Sequence, residues 1–99
     1  IEKMSIEKAL PLGLIIVELV SNSMKHAFKK HNIGIIDIVL TKDENINKLH
    51  YSDNGIGFDF HKPSEKGLGQ EIIKGLIDQL NGIVESGSNN GFELNVYFK

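Results

Sequence analysis

Four polar side chains that could bind a metal ion and phosphate lie close together on a segment with helical periodicity. These residues are Glu18, Asn22, Lys25 and His26. In a helix, the first three lie within ~60° of one another, because residues three and four apart share a face. That face offers a carboxylate, an amide oxygen that suits Mg²⁺ and an ammonium group that suits phosphate. Taken alone, the segment fits the solvated face of an amphipathic helix better.

A second candidate site, Asp53-Asn54-Gly55-Ile56-Gly57, follows a predicted strand. Its Asn-Gly pair is typical of a hairpin turn, but the residues after it are too mixed and polar to form the partner strand. The two glycines permit a ligand to approach the backbone, and Asp53 at a strand end can accept a hydrogen bond from an exocyclic amine. A calcium loop is excluded because Gly55 and Ser64 occupy ligand positions, and a dinucleotide fingerprint because Phe60 replaces its third glycine.

A third candidate site, Gly67-Leu68-Gly69, precedes the second predicted helix. Free N–H groups and the positive end of the helix dipole make such a position suitable for an anion. A Walker motif is absent, because Lys66 precedes the glycine instead of following it. An ordinary loop-to-helix turn is the alternative for this segment alone.

The elements that must position these motifs follow from the hydrophobic periodicity of the chain. Pro11 suits a first helical turn, the first strand is predicted to be buried on both faces, and Gly82 is the predicted stop of the second helix. The apolar side of the first helix is predicted at Leu12, Ile16, Val20, Ser23 and Ala27. The predicted elements are helix 12–30, strands 34–41 and 46–52, loop 53–69, helix 70–81, and strands 83–86 and 92–98.

The order of these elements predicts an α+β fold, a two-layer α/β sandwich with a mixed, mostly antiparallel sheet and helices on one face. The two strands on either side of the polar turn 42–45 are predicted to form an antiparallel hairpin. In the last strand apolar and polar residues alternate from Phe92 to Phe98, which predicts that one face of this strand is buried.

The composition limits the possible classes of protein. A length of 99 residues allows one domain, and the absence of cysteine excludes a disulfide framework and a Cys-ligated zinc site. With 11 basic and 13 acidic residues the net charge is −2, so we expect no nucleic-acid partner. The longest apolar run, residues 14–17, is far shorter than a membrane span, and no signal peptide is visible. We expect a cytoplasmic chain, with membrane anchoring of the parent protein left open.

In this order, the three motifs resemble the N, G1 and G2 boxes of the Bergerat-fold (GHKL) ATPases, and most closely those of the catalytic and ATP-binding domain of sensor histidine kinases. The Pro-Leu-Gly-Leu sequence from Pro11 and the Lys-His-Ala-Phe sequence from Lys25 resemble the branch with the second type of dimerisation domain. The resemblance covers nearly the whole chain. It implies one histidine-kinase-like ATP-binding domain at residues 1–99, in a Bergerat fold that is truncated at its N terminus.

The resemblance implies that the site binds ATP with Mg²⁺. Asn22 then stands at the magnesium ligand of the family, and Lys25 and His26 stand where the family contacts phosphate and ribose. Glu18 matches a position that acts on water in the hydrolysing branches, so the candidate catalytic residues are Glu18, Asn22 and Lys25. Asp53 matches the aspartate that accepts a hydrogen bond from the adenine amino group. The hinge under the base matches Gly55 and Gly57, and the phosphate cradle matches Gly67, Leu68 and Gly69.

The resemblance also implies an activity and partners. A sensor histidine kinase transfers the γ-phosphoryl group of ATP to a histidine on its own dimerisation domain, and from there to an aspartate of a response regulator. No such dimerisation domain is found in this chain. We therefore expect a protein-histidine kinase domain that is inactive in phosphotransfer by itself and that comes from a homodimeric parent.

Three departures from the family pattern leave other functions open. The lid, residues 58–66, is nine residues long and has no clear phenylalanine-rich box. Gly91-Phe92 replaces the usual Gly-Thr and removes a hydroxyl that would support the nucleotide. The opening helix and first strand of the family are mostly missing, which predicts an edge left in the sheet. The alternatives are another Bergerat-fold ATPase, such as an anti-sigma-factor serine kinase, and a degenerate nucleotide-binding module without transfer activity.

Overall fold

The computed structural model describes residues 4–24, 34–55, 68–87 and 91–99. Within these residues the chain forms two α-helices and four β-strands in the predicted order. They are α1 (Ile6–Asn22), β1 (Ile36–Asp43), β2 (Ile46–Asp53), α2 (Leu68–Gln79), β3 (Ile83–Gly87) and β4 (Glu93–Phe98).

The four described strands form one sheet in the order β1-β2-β4-β3, and all three pairs of neighbours are antiparallel. β1 and β2 form the predicted hairpin, in which Asp43 pairs with Ile46. β4 lies between β2 and β3, so its first residue, Glu93, pairs with Ser52 near the end of β2. With both helices packed against one face of this sheet, the predicted two-layer α+β fold is confirmed.

The core lies between the helices and one face of the sheet. Alternate residues of β2 and β4 point into it, which confirms the alternation predicted for the last strand. Burial of each large apolar side chain contributes about 1.5–3 kcal/mol, so the end of β2 is attached to a well-packed part of the molecule. The buried apolar residues are Leu12, Ile15, Leu19, Leu49, Tyr51, Ile73, Leu76, Ile77, Leu80, Phe92, Leu94, Val96 and Phe98.

The first helix begins earlier than the sequence predicts. It starts at Ile6, and the carbonyl oxygen of Ser5 accepts hydrogen bonds from the backbone N–H groups of Lys8 and Ala9 at 3.1 and 2.8 Å. Pro11 therefore lies inside the helix and not in its first turn. A proline there removes one backbone hydrogen bond, and the burial of Pro11 against the core offsets part of that loss.

The buried stripe of α1 is rotated relative to the prediction. Ile15 and Leu19 are buried, whereas Ile16 and Val20 are only partly buried, and Ser23 continues the buried stripe one turn after Leu19. Residues 14–17 are all apolar, and each residue turns the helix by about 100°. Packing against the sheet and α2, and not the local pattern, therefore selects the buried face. The predicted end of this helix near residue 30 lies outside the described residues.

The prediction that the first strand is buried on both faces is wrong. β1 is an edge strand that pairs with β2 alone among the described strands. Ile38, Val39 and Leu40 are 42%, 49% and 50% exposed. A run of β-branched residues favours a strand, but an edge position leaves one side of that strand unpaired and its faces less covered.

The second helix ends at Gln79, and Asn81 takes the left-handed conformation that the sequence assigns to Gly82. Asn81 has a φ of 53°. Its N–H group donates to the carbonyl oxygen of Asp78 at 3.0 Å, and the N–H group of Gly82 donates to that of Ile77 at 3.0 Å. These two bonds form a Schellman motif, in which asparagine can replace glycine because its short polar side chain tolerates a positive φ.

Candidate functional site

A buried carboxylate at the end of β2 is the centre of the candidate site. Asp53 is only 6% exposed. Its Oδ2 accepts a hydrogen bond from Ser23 Oγ at 2.7 Å, and its Oδ1 accepts from the backbone N–H groups of Gly55 at 3.0 Å and Phe92 at 3.2 Å. An ionised carboxylate has about four acceptor positions. The described residues fill three of them, so that, counting these residues alone, one position on Oδ2 is available to a further donor such as a ligand.

The backbone of Asp53 is held from both neighbouring strands. Its N–H group donates to the carbonyl oxygen of Phe92 at 2.9 Å, beside the start of β4. The next residue, Asn54, donates its N–H group to the carbonyl oxygen of Ile35 at 3.1 Å, and its side-chain Oδ1 accepts from the N–H group of Ile35 at 2.7 Å. The backbone that carries this carboxylate is therefore fixed by hydrogen bonds to two other segments of the chain, at Ile35 and at Phe92.

Gly91 permits the approach of β4 to Asp53. Its φ is 110°, and a Cβ atom at this position would lie 2.1 Å from the carbonyl oxygen of Asp53. Side chains other than hydrogen are excluded by both the conformation and the contact. Gly91 is thus part of the wall of the site.

Phe92 supports the site through its backbone and its ring. The residue is 1% exposed, its ring lies 6.3 Å from that of Tyr51 at an interplanar angle of 56°, and its N–H group is one of the donors to Asp53. Tilted aromatic pairs of this kind are favourable. The departure from the Gly-Thr pattern therefore removes a hydroxyl but places a core aromatic residue behind the carboxylate.

A hydroxyl group reaches Asp53 from α1. Ser23 is 2% exposed, and its Oγ contacts the Tyr51 hydroxyl as well as Asp53 Oδ2. The Tyr51 hydroxyl also donates to the carbonyl oxygen of Leu19 at 3.1 Å. Burial raises the pKa of Tyr51 above its ordinary value of 10.0, the hydrogen bond with Ser23 lowers it, and the charge of Asp53 raises it. The phenol therefore keeps its proton at neutral pH and acts as a donor.

Two further predicted residues, Glu18 and Asn22, lie on α1. Glu18 and Asn22 are partly buried and lie one turn apart. Asn22 directly precedes Ser23 in the chain, at the end of the helix that contacts Asp53. Ser23 is the described residue through which this end of α1 contacts Asp53 at the end of β2.

The third predicted motif opens the second helix. Leu68 and Gly69 form the first turn of α2 and do not precede it, because the helix starts at Leu68. The N–H groups of a first turn have no acceptor within their helix, so these residues can still contribute anion-binding groups. The remaining predicted site residues lie outside the described residues: Lys25, His26, Gly57 and Gly67.

Sequence reasoning missed three contributors to the cluster, namely Ser23, Tyr51 and Gly91. Two signals could have found the side chains. Ser23 is the polar member of an otherwise apolar stripe on α1, and Tyr51 lies two residues before Asp53, on the same face of β2. The contact of Gly91 with Asp53 joins positions 38 residues apart and has no local signal.

The fold and these motifs agree with the comparison to known families. Residues 7–99 match the family described as histidine kinase-, DNA gyrase B-, and HSP90-like ATPase. The match spans nearly the entire chain, and the chain belongs to this family. The resemblance to the Bergerat-fold ATPases is therefore confirmed. Membership implies that the domain binds ATP, which makes the cluster around Asp53 a candidate nucleotide site.

Among individual proteins, the chain is similar to the serine-protein kinase RsbW of Staphylococcus aureus. The sequence of strain RF122 / ET3-1 is 33% identical over 91 residues, covering 75% of this chain and 57% of that protein. The sequence of strain Newman is 32% identical over the same length. The chain spans little more than half the length of these curated relatives.

Two solved structures share the fold. The histidine kinase domain of the blue-light activated histidine kinase EL346 from Erythrobacter litoralis has a TM-score of 0.83 at 20% identity, covering 96% of this chain and 48% of that one. The mycobacterial sensor histidine kinase MprB has a TM-score of 0.71 at 16% identity, covering 89% of this chain and 71% of that one. In the part of this chain that the structure describes, no helix is both long and apolar enough to cross a membrane.

Proposed function

We propose that this chain is the catalytic ATP-binding domain of a two-component sensor histidine kinase, occupying residues 1–99. The domain would bind Mg-ATP and donate its γ-phosphoryl group to a histidine on a separate dimerisation domain of a homodimeric parent, from which a response regulator would receive it. The observation that supports a nucleotide site is an acceptor position on Asp53 Oδ2 that no described residue fills. A kinase of this type uses ATP from the cytoplasm, so the proposal includes a cytoplasmic location for the domain.

The charge and hydrogen bonding of Asp53 favour adenine over guanine. The 6-amino group of adenine can donate to the remaining acceptor position, whereas guanine presents a carbonyl oxygen at that position. Two acceptors then face each other, and a buried acceptor left without a donor costs about 1–3 kcal/mol. This difference corresponds to roughly a 5- to 150-fold preference for ATP over GTP.

The phosphate end of the nucleotide would lie toward α1 and α2. Asn22 offers an amide oxygen, a hard ligand that suits Mg²⁺, and the ion would neutralise charge on the phosphates. Lys25, His26 and the motif Gly67-Leu68-Gly69 would hold the phosphates and ribose, and Gly55 and Gly57 would permit the base to approach. Glu18, one turn before Asn22, would orient the attacking group. Catalysis of phosphoryl transfer then consists mainly of positioning and charge neutralisation.

A serine kinase is the second candidate, because the relatives at 33% identity carry the name serine-protein kinase RsbW. The phosphorylated product distinguishes the two. We expect the full-length parent protein, incubated with γ-labelled ATP, to carry an acid-labile and base-stable phosphoryl group, as a phosphohistidine does. An acid-stable product would favour the serine kinase, and no product together with tight ATP binding would favour a degenerate nucleotide-binding module.

The nucleotide site itself is tested by isothermal titration calorimetry of ATP with Mg²⁺. Asp53→Asn replaces the open acceptor by an amide whose orientation must also satisfy three existing donors, so we expect at least a tenfold loss of ATP affinity. Asp37→Asn, an exposed aspartate on β1, removes the same charge away from the site and is the matched control. Equal ATP affinity in both variants and the unmodified protein would contradict the site.

A further inference from the structure

Two hydroxyl groups, those of Ser23 and Tyr51, contribute to the contact between the end of α1 and β2 next to the proposed adenine position. Ser23 is the buried residue that caps the C-terminal end of α1, and its single oxygen touches both the Tyr51 hydroxyl and Asp53 Oδ2. All three side chains are buried. A hydroxyl at this position therefore faces no competing bulk water, and its hydrogen bond to the carboxylate is correspondingly strong.

The assigned hydrogen bonds indicate how the hydroxyl protons of this cluster are arranged. Asp53 accepts from three donors, and one of them is the Ser23 hydroxyl, whose single proton therefore points to Oδ2. The Ser23 oxygen can then only accept from Tyr51, whose pKa is raised and whose proton is retained at neutral pH. Leu19 supplies a second acceptor, its carbonyl oxygen, for that same phenol proton. The direction of donation runs from Tyr51 through Ser23 to Asp53.

Donation from Ser23 determines where a ligand can bind to the carboxylate. The two backbone N–H groups hold Oδ1, but the terminal torsion of an aspartate side chain is broad. The Ser23 hydroxyl occupies one of the two acceptor positions on Oδ2. The Ser23 hydroxyl therefore restricts the terminal torsion of Asp53 and fixes the direction of the remaining acceptor position on Oδ2. An incoming amine donor then meets a single orientation of the carboxylate.

We propose that Ser23, supported by Tyr51, is a positioning residue that orients the Asp53 carboxylate for the 6-amino group of adenine and so contributes to the selection of ATP. This inference rests on the proposed nucleotide site. Ser23 acts through Asp53 and not on the nucleotide directly. Its effect therefore depends on the presence of both the carboxylate and the 6-amino group.

A purely structural role for Ser23, as a link between α1 and β2, predicts a different result. Loss of such a link would disturb the whole site and weaken every nucleotide alike. The test is calorimetric titration with two probes, ATP and purine riboside triphosphate, which lacks the 6-amino group. The variants are Ser23→Ala, Tyr51→Phe, Asp53→Asn and the double variant Ser23→Ala/Asp53→Asn. Ser21→Ala, which removes a partly buried hydroxyl from the same helix, is the matched control.

We expect Ser23→Ala to weaken ATP binding about tenfold, as the loss of a hydrogen bond to a charged group does. Its affinity for purine riboside triphosphate should change less than about twofold. Tyr51→Phe should weaken ATP binding in the same selective way by about two- to threefold, because Tyr51 acts one bond further from the carboxylate. The double variant should bind ATP as weakly as Asp53→Asn alone, and Ser21→Ala should bind both probes normally.

Two results would overturn the inference while leaving the nucleotide site in place. The first is unchanged ATP affinity in Ser23→Ala when Asp53→Asn is weakened. The second is an equal loss for both probes in Ser23→Ala, which would assign Ser23 a structural role only. Failure of the unmodified protein to bind ATP, or unchanged binding in Asp53→Asn, would instead refute the proposed nucleotide site and the inference with it.

Discussion

Gly91→Ala provides a severe test of the described site, because it places one atom where the structure has no room for it. The new Cβ would lie 2.1 Å from the carbonyl oxygen of Asp53 and 3.0 Å from its carbonyl carbon, in a residue with a φ of 110°. The backbone before β4 must therefore move by about 1 Å to restore a van der Waals contact. Both contacted atoms belong to backbone that is hydrogen-bonded on each side, so Asp53 has little freedom to yield.

The expected cost has two parts. A positive φ in an L-residue costs about 1–2 kcal/mol. The movement also weakens the hydrogen bond from the Phe92 N–H group to Asp53, which contributes about 1.5–3 kcal/mol because its acceptor is charged. We expect the free energy of unfolding to fall by about 2.5–5 kcal/mol, a large part of the 5–15 kcal/mol that is typical of a domain. The ATP affinity of the folded fraction should fall about tenfold or more.

Urea denaturation and calorimetric titration with ATP measure the two effects separately. Gly87→Ala is the matched control, because a Cβ at Gly87 meets no atom within 4 Å and the residue has no positive φ. The control should change the free energy of unfolding by less than about 1 kcal/mol. A Gly91→Ala variant as stable as this control, with full ATP affinity, would refute the placement of Gly91 against Asp53.

Three further predictions follow from other parts of the molecule. Gly75→Ala should raise the free energy of unfolding by about 0.5–1 kcal/mol, because Gly75 lies in α2 with no atom within 4 Å of a new Cβ; a thermal melt that shows no gain would contradict this. Between about pH 8 and pH 11, the free energy of unfolding should fall less in Tyr51→Phe than in the unmodified protein. Because the pKa of Tyr51 is raised in the folded protein, the unfolded chain loses its phenol proton first, and the free energy of unfolding decreases as the pH rises above 10. If urea denaturation at several pH values shows the same decrease with pH in both proteins, this prediction is wrong. Asn22→Ala should abolish the Mg²⁺ dependence of ATP affinity while leaving the metal-independent part intact, and calorimetry with Mg²⁺ or with EDTA separates the two.

Local patterns were sufficient for much of the fold. The alternation in β4 and the polar turn between β1 and β2 each depend on residues within a few positions of one another, and the structure has both. The position of Asp53 at the end of β2 could also be predicted, because an acidic residue followed by glycines ends a run of strand-forming residues. The family motifs are short and local, which is why their order along the chain was enough to predict the ATPase family.

The wrong predictions concern which residues of each helix or strand are buried by the neighbouring elements. An apolar run predicts that β1 is a strand, but only the sheet order puts it at an edge with Ile38 exposed. Four consecutive apolar residues on α1 permit more than one buried face, and the packing selects the one with Ile15 and Leu19. The sequence allows Pro11 in the first turn or in an interior turn of α1. Because the helix starts at Ile6, Pro11 lies in its interior.

The sequence by itself determined the family, the order of the elements and the carboxylate on which the proposed adenine site depends. Only the tertiary structure decided which groups hold that carboxylate. Ser23 lies 30 residues from Asp53 in the chain and donates to it, and Gly91, 38 residues away, makes room for it. Periodicity tells which residues share a face of one element. The partners across two elements depend on how those elements pack, and that is a property of the whole chain.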